Sequence, residues 1–166
     1  MKITVYCGAN YGNDEIYREE AIALGRWIAK NGNTLVYGGS QVGLMRIVAD
    51  TVLENGGKVI GIMPRFLTER EPAHPGLTEL IYVEDMSDRK RKMAELGDVF
   101  IALPGGPGTL EEITEVIQMF YRQTYILERK FDKRTNRMQY VKEYRVCSKH
   151  KEFLKKYFAV AGIELK

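Results

Sequence analysis

The chain has 166 residues, of which 45% are hydrophobic and 28% charged, and this length fits one globular domain over residues 1–166. No apolar run approaches the length that crosses a membrane, and the first residues show no signal-peptide pattern. These features exclude a membrane protein and a disulfide-rich secreted protein, so we expect a cytoplasmic protein.

The cysteines and histidines do not predict a metal site. Cys7 and Cys147 lie in unrelated contexts, and neither His74 nor His150 has a partner at metal-ligand spacing. We therefore expect reduced thiols, no structural metal and no disulfide framework.

The net charge of +3 conceals a difference between two parts of the chain. Residues 1–118 contain 12 Lys and Arg against 17 Asp and Glu, whereas residues 119–166 contain 13 against 5. A basic tail of this kind can bind nucleic acid or acidic membranes. No recognised nucleic-acid module accompanies it, so we favour a solvated face for this atypical C-terminal segment and expect neither partner.

Apolar runs and glycine turns alternate along the first part of the chain. Runs at 3–7, 34–37, 58–63, 80–83 and 99–103 predict strands, and amphipathic spacing predicts helices beginning near residues 15, 43, 87 and 109. In the last helix, Leu110, Ile113, Ile117 and Phe120 form a stripe that we expect to face a core. The alternation predicts an α/β fold: a Rossmann-like, doubly wound parallel sheet in three layers.

The turn after the last strand, residues 104–112, has the composition of a phosphate-binding loop. Gly105, Gly106 and Gly108 allow close backbone approach, and the amides of the following helix carry partial positive charge. A dinucleotide fingerprint would need glycine at Glu111, and no lysine stands in the P-loop position. The loop therefore predicts a phosphomonoester site. Glycine turns also follow the first two strands, which favours a nucleotide-sized ligand in one crevice.

Glu112 has two interpretations. The run Thr109 to Glu112 is a capping box, with Thr109 as the helix N-cap and Glu112 reaching back to the Thr109 amide. The carboxylate could instead do chemistry beside the bound phosphate.

Two further charged groups are candidates for the same crevice. Glu71, held extended by Pro72, is a candidate second carboxylate, with a solvated loop charge as the alternative. The four cations of residues 89–92 stand at the start of a helix for which we expect Ser87 as the cap, where they oppose the helix dipole. Those that project into the crevice would neutralise phosphate.

Together these residues resemble the LONELY GUY family of cytokinin riboside 5′-monophosphate phosphoribohydrolases, many of whose members were labelled lysine decarboxylases. The family pattern PGGxGTxxE is met by residues 104–112. A second motif is matched by Met86, Arg89, Lys90 and Met93, with Ser87 where histidine is usual. In the second glycine turn, Ser40 and Arg46 replace two glycines of the family.

The resemblance implies an enzyme that hydrolyses the N-glycosidic bond of N6-prenyladenosine 5′-monophosphate, or of plain AMP, to free base and ribose 5-phosphate. It implies Arg89 and Glu112 as the catalytic pair. The substrate-binding residues that go with them are Gly8, Gly39, Glu71, Met86, Lys90, Gly105, Gly106, Gly108, Thr109 and Glu111. It also implies a homodimer without metal or organic cofactor, and no lysine is placed for pyridoxal chemistry. The alternative is a non-catalytic nucleotide-binding or carrier protein of the same fold.

The resemblance stops near residue 118. Only 126–127 and 141–147 look strand-like beyond it, and residues 153–161 could form one helix. The charge changes at the same point, which suggests a replaced or frame-shifted C-terminus. Resequencing of the source locus tests that hypothesis.

Overall fold

The computed structural model describes residues 1–122, 125–132 and 137–144, with side chains to residue 119. The chain divides into two compact units, Met1–Thr114 and Glu115–Lys166. The single domain expected over residues 1–166 stays a prediction.

The elements follow one another in the alternating order that the sequence predicts. In chain order they are β1 (Lys2–Tyr6), α1 (Ile16–Lys30), β2 (Thr34–Tyr37), α2 (Gly43–Glu54), β3 (Lys58–Pro64), a short 3-10 helix (Arg65–Glu69), β4 (Glu79–Val83), α3 (Met86–Leu96), β5 (Val99–Ala102), α4 (Pro107–Arg122), β6 (Tyr125–Asp132) and β7 (Arg137–Tyr144).

Strands β1 to β5 form one parallel sheet in the order β4-β3-β2-β1-β5. Ile3 of β1 stands between Leu35 of β2 and Val99 of β5, which fixes the register at the centre of the sheet. Four residues of β1 and six of β3 are buried in succession, as expected where helices cover both faces of a sheet. The prediction of a Rossmann-like α/β fold is confirmed.

The starts of two helices differ from the prediction. The N-cap of α3 is Asp85, whose carboxylate accepts a hydrogen bond from the Asp88 amide at 2.8 Å, so the assignment of Ser87 as the cap was wrong. Helix α4 begins at Pro107, because a proline with its fixed φ and missing N–H suits the first helical position. Thr109 is therefore inside the helix, and it is not the N-cap of a capping box.

Two of the four residues in the apolar stripe predicted for α4 are exposed, whereas Ile113 is partly buried and the side chain of Phe120 lies outside the described residues. Leu110 is 62% exposed and Ile117 47% exposed. Glu112 and not Leu110 points to the protein interior at this end of the helix, since only 12% of its side chain is exposed.

The second unit contains an antiparallel pair, β6 with β7, in which Tyr125 stands opposite Tyr144. The strand expectation at 126–127 and 141–144 is confirmed, while residues 145–147 and the expected terminal helix lie outside the described residues. No helix in the described ranges is both long and apolar enough to cross a bilayer.

Candidate functional site

A pocket of about 570 Å³ lies at the carboxyl edge of the parallel sheet, where the loops after β1 and β5 meet. The strand order reverses between these two strands, and such a switch point is where open α/β sheets bind ligands. The Gly8 amide donates to the Pro104 carbonyl at 3.1 Å, and the Leu44 amide donates to the Gly8 carbonyl at 3.1 Å. These bonds hold three chain segments around one cavity of small-ligand size.

Gly43 explains how α2 can approach the loop after β1. Its φ is +56°, and a Cβ there would collide with the backbone of Ala9. Glycine is therefore required at this position by both conformation and space.

The glycine loop, residues 104–109, contains two kinds of glycine. A Cβ at Gly105 would meet the Thr109 side chain, so the packing of the protein itself requires glycine there. At Gly106 and Gly108, no atom of the described residues lies within 4 Å of an added Cβ. Both line the pocket, so the space beside them is open to a ligand that approaches the backbone at the start of α4.

Arg89, on α3, is held at the base of the pocket by backbone carbonyls. Its Nε donates to the Ile62 carbonyl at 3.2 Å, and its Nη2 donates to the Gly38 carbonyl at 3.1 Å. Its Nη1 lies 3.9 Å from Glu112 Oε1 and 3.9 Å from the Met86 sulfur. Only 8% of the Arg89 side chain is exposed, so the guanidinium has one fixed orientation with Nη1 toward Glu112.

Glu112 reaches the same place from the first turns of α4. The proximity of its carboxylate to Arg89, together with the helix start at Pro107, removes the capping-box interpretation. Both residues also act on Cys7. Burial, and then the charge of Glu112, raise the pKa of the Cys7 thiol to about 12 against the opposing charge of Arg89. Cys7 is therefore a neutral thiol in the pocket wall and not a nucleophile.

Two more charged residues, Lys90 and Glu71, line the same pocket. Lys90 Nζ contacts Glu111 Oε1 at 2.7 Å, which joins α3 to α4 at the pocket rim. Glu71, from the segment between β3 and β4, lines the pocket with a buried Oε1 that has no hydrogen-bond partner in the described part of the chain. An unpartnered buried carboxylate oxygen is costly, so this atom is available to a donor brought by a ligand.

Eleven of the twelve residues that the sequence singled out line the pocket, and Gly39 does not. Its neighbour Gly38 lines it instead, with a Cβ position blocked by the Arg89 guanidinium. Sequence reasoning also missed lining residues from the first turn and its helix: Asn10, Asn13 and Tyr17. The turn-forming composition of residues 8–13 was the signal that could have found the two asparagines. In the part of the chain that the structure describes, no three His, Cys, Asp or Glu side chains cluster as metal ligands would.

The fold and the pocket define a Rossmann-like protein with its ligand site at the switch point of the sheet. Residues 45–150 match the family model described as "Possible lysine decarboxylase". The match covers more than half of the chain, which belongs to this family, the LONELY GUY family that the motifs indicated. The matched range extends beyond residue 118, where the motif resemblance ended.

Curated relatives match this chain over 116 residues. A cytokinin riboside 5′-monophosphate phosphoribohydrolase of Rhodococcoides fascians is 53% identical, over 69% of this chain and 59% of its own. One from Arabidopsis thaliana is 46% identical, over 70% of this chain and 51% of its own. The chain therefore spans between half and three fifths of the length of these two relatives.

Among solved structures, a molybdenum cofactor binding protein from the phototrophic bacterium Rippkaea orientalis superimposes with a TM-score of 0.62. It is 27% identical and is matched over 71% of each chain. The fold of this chain is therefore shared with a protein that is named for binding a cofactor.

Proposed function

We propose that this protein hydrolyses the N-glycosidic bond of an adenosine 5′-monophosphate, N6-prenylated or plain, to free base and ribose 5-phosphate. The observation that carries the proposal is the Glu112 carboxylate 3.9 Å from a fixed Arg89 guanidinium, beside an open glycine loop. The names of the curated relatives support the same reaction.

The glycine loop would bind the 5′-phosphate. Amides at the start of α4 carry partial positive charge, and Gly106 and Gly108 leave space for phosphate oxygens to come close to the backbone. Lys90, at the rim, adds positive charge. With the phosphate fixed there, the ribose is oriented and the reaction becomes effectively intramolecular.

Glu112 and Arg89 would then act on the sugar and the base. As the bond between C1′ and the base nitrogen breaks, its electron pair leaves with the base and positive charge develops on the ribose. The Glu112 carboxylate stabilises that charge and takes a proton from water, whose oxygen forms the new bond to C1′. Arg89 Nη1 donates a hydrogen bond to the substrate and assists departure of the base, which gains one proton overall.

Chromatography of the products tests this proposal. The protein is incubated with AMP and with prenyl-AMP, and ribose 5-phosphate and free base are quantified against a heat-treated sample. We expect both products in equal amounts from at least one nucleotide. Bound but unchanged nucleotide in every sample would contradict the hydrolase.

The second candidate is a non-catalytic nucleotide-binding or carrier protein. The fold of the Rippkaea orientalis protein, which is named for cofactor binding, favours it. A carrier would retain AMP or a related phosphorylated ligand in equilibrium dialysis without releasing ribose 5-phosphate. The two candidates therefore differ in one measured product.

We further propose a cytoplasmic homodimer. Leu110 and Met86 are large apolar side chains that remain exposed in one copy, and a second copy would cover them. Sedimentation equilibrium tests this arrangement: wild type should have twice the monomer mass, and Leu110→Glu should shift it to monomer. A monomeric wild type would contradict the dimer.

A further inference from the structure

The segment between β3 and β4, residues 65–78, brings Glu71 to the pocket although it belongs to no regular strand or α-helix. A carboxylate on such a segment stays in place only if the backbone is fixed near it. We propose that His74 and Asp50, neither of which lines the pocket, are positioning residues that hold Glu71 against the ligand. This inference rests on the proposed nucleotide site but not on turnover.

The backbone that directly follows Glu71 is bonded to the turn after β2. The Gln41 amide donates to the Pro72 carbonyl at 3.2 Å, and the His74 amide donates to the Gly39 carbonyl at 2.9 Å. Ser40 and Ala73 form the antiparallel bridge between these two bonds. The Glu71 amide itself donates to the Leu67 carbonyl at 2.8 Å. Glu71 thus stands between two anchored points.

The side chain of His74 fixes the part of the segment that follows Glu71. His74 is buried, its Nε2 lies 2.7 Å from Asp50 Oδ1, and its Nδ1 accepts from the Gly76 amide at 3.1 Å. Because Nδ1 accepts, Nε2 is the nitrogen that donates to Asp50. The imidazole therefore ties the segment to α2, which packs on α1 and the sheet.

Asp50 has a second partner that provides a control. Arg46 Nε contacts Asp50 Oδ2 at 3.1 Å on the exposed side of α2, where the family pattern has glycine. Removing Arg46 leaves the bond between Asp50 and His74 in place. An exposed pair of this kind contributes little to stability, so Arg46→Ala should leave ligand affinity within about twofold of wild type.

The contact between His74 and Asp50 should therefore be energetically coupled to ligand binding by Glu71. Its Oε1 is buried and has no partner among the described residues, so a ligand donor placed there forms a hydrogen bond to a carboxylate oxygen that is shielded from solvent. That bond corresponds to about tenfold or more in affinity. If the segment were released from α2, Glu71 Oε1 would no longer be held in position for the ligand. Most of the affinity that this bond contributes would then be lost.

The test is a double-mutant cycle on AMP binding, measured by isothermal titration calorimetry. We expect His74→Ala and Asp50→Ala each to weaken AMP binding about tenfold, and His74→Gln, which keeps a donor toward Asp50, to restore most of it. In a Glu71→Ala background the same substitutions should change the dissociation constant less than twofold. A general loss of stability would act equally in both backgrounds.

Two outcomes would overturn the inference: equal effects with and without Glu71, or unchanged AMP affinity in a folded Asp50→Ala protein. If His74→Ala does not fold, Asp50→Ala carries the cycle, because its carboxylate is partly exposed. The proposed hydrolysis is tested by a different readout, so it can be rejected while this inference stands. A wild type that shows the coupling but releases no ribose 5-phosphate would reject the enzyme and retain the positioning residues.

Discussion

The pocket has two walls that are built on opposite principles. On the glycine loop, Gly106 and Gly108 leave space beside the backbone, and ligand binding there depends on that space staying empty of protein atoms. On the other wall, the segment carrying Glu71 is bonded to the turn after β2 by its backbone and to α2 by His74. The first wall can accept any phosphate of the right shape, whereas the second fixes one side chain. The loop therefore leaves room for a ligand, whereas the held segment presents one particular group to it.

Removing the acid next to the glycine loop should have the largest effect. Glu112→Gln keeps the shape of the side chain but not its charge, and we expect turnover to fall by about 10²–10⁴-fold. The melting temperature should change little, because the helix start at Pro107 does not depend on Glu112. Ribose 5-phosphate release and thermal unfolding, measured on the same preparation, check both statements. Retained turnover would show that the carboxylate is not part of the chemistry.

A matched pair of glycine substitutions tests the open wall. Gly106→Ala adds a methyl group that meets no protein atom, so we expect normal stability and a loss of about tenfold or more in AMP affinity. Gly105→Ala pushes against the Thr109 side chain, so we expect it to lower the free energy of unfolding by about 1–3 kcal/mol. Calorimetry of AMP binding and urea unfolding separate the two effects. Similar stability losses in both variants would contradict the distinction between these glycines.

The smallest effect is expected for a substitution at Ser40, which pairs with the segment that carries Glu71. The Ser40 hydroxyl is buried and has no hydrogen-bond partner within the ranges that the structure describes, although the Ser40 carbonyl accepts from the Tyr37 hydroxyl at 3.1 Å. Ser40→Ala removes the unpaired hydroxyl and keeps the backbone bridge to Ala73, so we expect about 1 kcal/mol of added stability. AMP affinity should not change. A destabilised variant in urea unfolding would reveal a role for the hydroxyl.

The sequence predicted the sheet well because strands that are buried on both faces have a recognisable local sequence pattern. Runs such as 34–37 are continuously apolar and end in glycine, and neither feature depends on distant residues. Helix starts were less certain, because competing caps stand close together. Asp85 caps α3 although Ser87 is two residues away, and Pro107 opens α4 ahead of Thr109.

Contacts between residues far apart in the chain could not be predicted from the sequence. The pair of His74 with Asp50 joins positions 24 residues apart, and no spacing rule connects them. The exposure of Leu110 was missed for a related reason. Helical periodicity shows which residues share a face, but the placement of Glu112 beside Arg89 decides which face turns inward.

Arg89 links the chemistry of the pocket to the integrity of the sheet. Its guanidinium is bonded to the carbonyl of Ile62 in β3 and to that of Gly38, directly after β2. Any fluctuation that parts these neighbouring strand ends also releases the cation from the acid it faces. Thermal inactivation should therefore coincide with melting of the sheet, and a warm, folded but inactive form should not accumulate.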